Sequence, residues 1–362
     1  MMRYAEITGW GKCVPPAVLS NSDLEVLTDT NDEWITSRTG IKERRVSHVD
    51  VSDMAVVASH HALAAAGLGP ADIDLIVLAT CTADVVIPSA ASLVQAKLGA
   101  SNAAVFDLNA ACSGWVYALN VGTQMVKGGG HNRVLVIGAE KLSHLLDFTD
   151  RATAVLFGDG AGAIVLEATD EPVGLQSVEI GTDGSVAGIL CVPGVGTAGN
   201  RYQGDPSQYA IHMDGPEVFR RAVTAMGEAS SRVVEQAGLS VEDVDLLIPH
   251  QANVRIIDAT ARKLKLAPEQ VFVNIASYGN TSAATIPIAL TEAIEEGKVA
   301  PGANLVFAAF GAGLTWAAAV LRWGGRVEPL GSSDARLPPV EKSAVELLES
   351  NVAFYGDGRR AE

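Results

Sequence analysis

Short apolar, β-branched runs alternate along this chain with longer stretches in which apolar residues recur every three to four positions. The run 103–108 has the length of a buried strand. The stretch 114–127 then places Trp115, Ala118, Leu119, Gly122, Met125 and Val126 at helical spacing and stops at Gly128-Gly129-Gly130. The same spacing predicts helices over 52–66, 88–98, 216–237 and 281–296. Strands alternating with amphipathic helices imply mixed or parallel sheets covered by helical layers, an α/β fold.

The pattern occurs twice. Residues 66–77, from Ala66-Gly67-Leu68 to Leu75-Ile76-Val77, recur as 237–248, from Ala237-Gly238-Leu239 to Leu246-Leu247-Ile248, at an offset of 171 (238 − 67). Val134-Leu135-Val136-Ile137 and Leu305-Val306-Phe307-Ala308 keep that offset (305 − 134 = 171). Between them Val105-Phe106 answers Val271-Phe272 at 166, so the second copy is shorter there. A duplicated α/β unit follows, with halves at 1–172 and 173–325; repeat arrays have periods of only ~20–50 residues. The polar, Pro- and Ser-bearing segment 326–362 contains one candidate helix, 340–352, and is expected to lie outside the core.

Composition narrows the setting. Apolar residues make up 48% of the 362, charged ones 19%, which suits a large buried core. No apolar run approaches the ~20 residues of a membrane span, and residues 1–16 lack a secretory signal, so a cytoplasmic protein is expected. Cys13, Cys81, Cys112 and Cys191 lie far apart without metal-ligand or disulfide spacing. A net charge of −16 argues against nucleic acid and anionic membrane as partners. Locally, however, the predicted helix 253–266 carries Arg255, Arg262 and Lys263 on one face, either a solvated surface or a docking site for something acidic.

Chemistry-bearing residues stand where strands give way to helices. Cys112 follows the strand 103–108 and opens the helix 114–127, where unpaired N–H groups and the helix dipole favour a thiolate; a small buried core residue is the plainer reading. His250 ends a predicted strand, the edge at which α/β proteins gather catalytic groups, although a satisfied histidine would look the same. In the second copy Asn280-Thr281-Ser282 stands at the place answering Cys112, reached through a predicted strand at 271–273; on local grounds it is equally a helix cap. Gly311-Ala312-Gly313 follows a buried strand and would let backbone N–H groups approach a ligand, or form a tight turn. The glycine-rich stretch 157–163 lacks the lysine of a phosphate loop and reads as a structural turn.

Six ordered motifs combine these features: residues 32–41 (Asp32-Glu33-Trp34 to Thr39-Gly40-Ile41), Ala111-Cys112-Ser113-Gly114, Phe157–Ala163, His250-Gln251-Ala252-Asn253, Gly279-Asn280-Thr281-Ser282 and Gly311-Ala312-Gly313. Together, over about residues 2–324, they resemble β-ketoacyl-acyl carrier protein synthase III of the thiolase superfamily. The resemblance implies a five-layered αβαβα homodimer and a two-step reaction. Cys112 takes an acyl group from acyl-CoA, with the N–H groups of Cys112 and Gly311 as oxyanion hole. His250 and Asn280 then offer N–H donors to the carbonyl of malonyl-acyl carrier protein as it loses carbon dioxide. It further implies that Trp34, Arg38 and Arg151 hold the nucleotide end of CoA, and that Phe219 and Asn253 line the pantetheine channel. Arg220, Arg255, Arg262 and Lys263 would dock the carrier protein, and Ile87 would set the depth of the partner subunit's acyl tunnel, where acetyl-selective relatives carry an aromatic ring. No metal or redox cofactor is called for.

Within that superfamily a thiolase would carry a second cysteine near Gly311–Gly313, and an elongating synthase a second histidine at Asn280. Neither is present. An acyltransferase passing the group from Cys112 to an alcohol or amine, and a non-catalytic partner subunit, are the competing readings; Cys112 itself speaks against the second. Tyr278 stands before Gly279 where the resemblance leads one to expect a charged residue.

Overall fold

A computed structural model describes residues 3–199 and 205–359. Nine strands form one continuous sheet: β1 (Tyr4–Cys13), β2 (Leu75–Ala79), β3 (Ala104–Leu108), β4 (Arg133–Lys141), β5 (Asp159–Thr169), β6 (Gly174–Thr182), β7 (Leu246–Pro249), β8 (Asn304–Gly311) and β9 (Thr315–Arg322). Their order is β7-β8-β9-β6-β1-β5-β4-β2-β3. The middle is joined by a single parallel pair, Ala5 with Gly174, and on either side lies a half-sheet.

The half-sheets repeat one pairing scheme. In the first, β2 runs parallel to β3 and β4, while β4–β5 and β5–β1 are antiparallel. In the second, β7 runs parallel to β8, while β8–β9 and β9–β6 are antiparallel. The predicted strand at 271–273 is reduced to one bridge between Leu247 and Val271. A turn at Pro268–Gln270 and a short helix at Ile275–Tyr278 leave too few residues between them for a ladder.

Eight helices position the rest: α1 (Asp32–Thr39), α2 (Val51–Ala66), α3 (Ala90–Leu98), α4 (Gly114–Lys127), α5 (Gly215–Gln236), α6 (Val254–Lys263), α7 (Thr285–Glu295) and α8 (Ala344–Arg359). Helices α4 and α7 lie between the half-sheets, where Trp115, Leu119, Ile286 and Leu290 share an apolar core with Val77, Val136, Phe307 and Leu321. Helices α2 and α3 cover the outer face of the first half-sheet, with Met54 and Val94 against Ile76 and Leu135. Helices α5 and α6 cover that of the second, with Met226 and Ile256 against Leu247 and Val306. Alternate residues of β2, Ile76 and Val77, therefore enter different cores, as the period of two requires of a strand buried on both faces. The result is five layers, αβαβα.

Two local expectations change. Most of the glycine-rich stretch 157–163 is strand, because β5 begins at Asp159. Its glycines serve packing: a Cβ on Gly162 would fall 2.7 Å from that of Pro287, so only glycine admits α7 this close. The C-terminal helix begins at Ala344 rather than 340, where Ser343 and Glu346 cap each other's backbone N–H groups, and it continues to Arg359. Its Ala344 and Leu348 join an apolar cluster with Leu24, Ile35, Leu146 and Phe148, and Asn351 Nδ2 donates to Leu146 O at 2.9 Å. Among the described residues, no helix is long and apolar enough to cross a membrane.

Candidate active site

Each central helix is entered through a strained turn. The 3₁₀ turn Ala111–Ser113 leads into α4, and Ser282–Ala284 leads into α7. Ala111 has φ 47° and Ser282 φ 49°, a left-handed conformation that costs a residue with a Cβ about 1–2 kcal/mol. The two lie 171 positions apart (282 − 111), the offset of the sequence repeat. The turns also touch, since a Cβ on Gly114 would fall 3.7 Å from that of Ala283. Strain of this kind concentrates at functional sites, and here it brings Cys112 and Asn280 to one place.

They line a cavity of about 550 Å³ together with His250 and Phe310. Trp34, Arg38, Phe219, Asn253 and Arg255 line the same cavity, with Arg38 and Arg255 at the solvent-exposed end. Gly311 closes β8 against the nucleophile's turn: a Cβ there would lie 2.6 Å from Cys112 N, so a side chain would force the two backbones apart.

His250 ends β7 and is 1% exposed. Its Nδ1 lies 2.7 Å from Thr285 Oγ1, while its Nε2 is buried without a hydrogen-bond partner. Burial pushes the imidazole down to about 3, so the resting ring is neutral. Asn280 is fixed at both ends of its backbone, its N–H donating to Leu156 O at 2.9 Å and its carbonyl accepting from Gly158 N at 3.0 Å. Its side-chain Oδ1 accepts the Ser282 N–H at 2.8 Å, which leaves the amide NH₂ as the end available to a ligand.

Burial also pushes the Cys112 thiol up to about 12. This reverses the sequence expectation of a helix-stabilised thiolate: the residue sits in the enclosed turn before α4, and desolvation outweighs the dipole. The resting nucleophile is therefore a thiol. Nearby, Glu140 at the end of β4 is fully buried and accepts from Thr80 Oγ1 (3.2 Å), Cys81 N (3.1 Å) and Ser282 Oγ (3.1 Å). Cys81 Sγ donates to the same carboxylate at 3.3 Å, which with burial holds that thiol well above its usual range. Sequence reading missed Glu140 and Thr285; their only local signal is a polar residue ending or opening an apolar run.

The remaining candidates fall into two places. Arg38 and Arg151 each set a guanidinium 4.8 Å from the Trp34 ring centre. Asn253 Nδ2 donates to Arg38 O at 3.0 Å, tying α6 to this corner. Arg255 lies 5.5 Å over Phe219 and shares with Arg262 a second groove between α5 and α6. Exposed Lys263 lays its stem along Gly227 of α5, and Arg220 is paired with Glu217 at 2.6 Å. Ile87 is 86% exposed and lines no part of the cavity in its own chain. Among the described residues no group of three or more His, Cys, Asp or Glu is placed to hold a metal ion.

A five-layered αβαβα core with a cysteine, a histidine and an asparagine around one cavity defines an acyl-transferring enzyme of the thiolase fold. Family models for 3-oxoacyl-[acyl-carrier-protein] synthase III match residues 106–184 and, as its C-terminal part, 234–323. The β-ketoacyl-[acyl-carrier-protein] synthase III 2 of Vibrio cholerae is 54% identical over 349 residues, covering 96% of each chain. The synthase III of Symbiobacterium thermophilum is 51% identical over 330 residues, covering 89% of this chain and 99% of its own. The crystal structure of 3-oxoacyl-[acyl-carrier-protein] synthase III from Aquifex aeolicus superposes with a TM-score of 0.82 at 48% identity, over 88% of this chain and 100% of that one. The chain belongs to the β-ketoacyl-acyl carrier protein synthase III family.

Proposed function

We propose that the enzyme condenses an acyl-CoA primer with malonyl-acyl carrier protein, releasing carbon dioxide, through an acyl group carried on Cys112. The observation that carries this reading is the single cavity joining Cys112, His250 and Asn280 to Trp34 and Arg38. The acyl group is transferred to the sulfur while the N–H groups of Cys112 and Gly311 meet the carbonyl oxygen, two backbones already in contact. Trp34 with Arg38 and Arg151 forms an aromatic–cationic clasp into which a planar adenine inserts, while Phe219 and Asn253 flank the pantetheine arm. His250 and the Asn280 NH₂ then meet the thioester oxygen of the malonyl unit as charge develops there.

Arg255, Arg262 and Lys263 of α6, with Arg220 on α5, present the acidic carrier protein with a cationic rim on an otherwise strongly acidic molecule. A homodimer completes the reading. Strand β3 ends the sheet with its outer edge unpaired, and Val85, Val86 and Ile87 are 47%, 81% and 86% exposed, an apolar patch suited to a second copy. The repeated pairing scheme supports halves near 1–172 and 173–325, with 326–362 as an added layer. Four free thiols suit the cytoplasm, and the CoA thioester enters as substrate with no metal or redox cofactor in the cycle.

Intact-mass measurement with a panel of acyl-CoAs, with and without malonyl-acyl carrier protein, tests the reading. A β-ketoacyl product is expected; acylation of an alcohol or amine with no new carbon–carbon bond would replace it with simple acyl transfer.

A further inference from the structure

Three buried groups in a row fix where one proton lies. Thr285 Oγ1 is 2.7 Å from His250 Nδ1 and 3.0 Å from Ser282 O. A carbonyl oxygen only accepts, so the hydroxyl proton points to Ser282 O, and the proton of the shorter contact must then come from Nδ1. Turning the hydroxyl toward Nδ1 instead would leave two oxygens facing each other at 3.0 Å with no proton between them. Water offers no escape, since His250, Thr285 and Ser282 are 1%, 3% and 2% exposed. Thr285 is also the first residue of α7, where threonine commonly bonds back to the carbonyl one turn earlier.

We propose that Thr285 is a positioning residue that holds His250 as the Nδ1–H tautomer and so turns the lone pair of Nε2 toward the nucleophile. The proposal rests on the functional reading above and assigns the proton's path within it. Nε2 takes the Cys112 S–H proton as sulfur bonds to the acyl carbon. The bond from that carbon to the coenzyme's sulfur breaks, and the coenzyme leaves as a thiolate that solvent protonates. The ring, now bearing Nε2–H, donates to the malonyl thioester oxygen beside the Asn280 NH₂ while the bond to the carboxylate breaks and its electron pair forms the enolate. The enolate carbon attacks the acyl carbonyl, and the departing Cys112 sulfur recovers the proton from Nε2. One proton serves both half-reactions, and the buried, partnerless Nε2 is its carrier. Under the repeat offset Thr285 corresponds to Gly114 (285 − 114 = 171), so the position that gives Cys112 room in one half orients His250 in the other.

Long-range ¹H–¹⁵N spectra of the full-length enzyme with ¹⁵N-histidine, assigned by loss of signals in His250→Gln, read the tautomer directly. The wild type should show a protonated Nδ1 and an unprotonated Nε2 for His250. Thr285→Val keeps the volume and removes the hydroxyl; it should mix the tautomers and slow acyl loading of Cys112 ~10–100-fold. Thr285→Ser should restore both. A wild-type ring protonated at Nε2, or a Thr285→Val enzyme loading at the wild-type rate, overturns the assignment. Should Thr285→Val fail to fold, the wild-type spectrum alone decides. An Nδ1–H ring in an enzyme that never acylates Cys112 would instead refute the functional reading and leave the tautomer standing.

Discussion

At the scale of single residues, two buried thiols near one another have different prospects. Cys81 is committed to the Glu140 carboxylate, whereas Cys112 faces the cavity. Burial raises both, so ease of ionisation does not choose between them; access and a proton acceptor do. Incubation with a competent acyl-CoA should add one acyl mass, lost in Cys112→Ala and retained in Cys81→Ser. An adduct that survives in Cys112→Ala would end the assignment. Asn280 has its own separable role, because its oriented NH₂ faces the second substrate rather than the thiol. In Asn280→Ala, loading from acyl-CoA should persist while carbon dioxide release from malonyl-acyl carrier protein falls ~10²–10³-fold. Equal losses in both steps would assign the residue to the fold instead.

Among the elements, the critical junction is the end of β8 against the turn that carries Cys112. Gly311→Ala inserts a Cβ 2.6 Å from Cys112 N, with backbone on both sides and no flexible side chain to yield. We expect a cost of about 1–3 kcal/mol in thermal unfolding, as for overpacking elsewhere, and a loss of acyl loading larger than that cost explains at temperatures where the variant is fully folded. A variant that melts lower yet loads normally would separate Gly311 from the oxyanion hole. Most elements were legible in the sequence because periodicity is local: 114–127 was read to its ends, and the repeat gave the second half its partners. What escaped was non-local. The glycines of 157–163 look like a turn until Pro287 of a distant helix arrives against them. Likewise His250 and Thr285 are 35 positions apart, and Glu140 and Ser282 are 142 apart, so neither contact leaves a motif.

At the scale of the whole molecule, the cavity of one chain has no wall supplied by Val85-Val86-Ile87, which projects into solvent from the same side of the first half as the free edge of β3. A second copy pairing along β3 would cover this patch and carry Ile87 to the neighbouring cavity, making chain-length selection a property of the dimer. Isoleucine is shorter than an aromatic ring, so a tunnel it closes should admit more than two carbons. Each further buried CH₂ contributes ~0.8 kcal/mol, about a fourfold gain apiece. Short branched or medium straight acyl-CoAs should therefore exceed acetyl-CoA in kcat/KM. In Ile87→Phe the order should move back toward acetyl while analytical ultracentrifugation still shows a dimer. A monomeric wild type would remove the shared wall altogether. An acetyl preference that Ile87→Phe leaves untouched would make Ile87 interface packing only, and would place the end of the tunnel within a single chain.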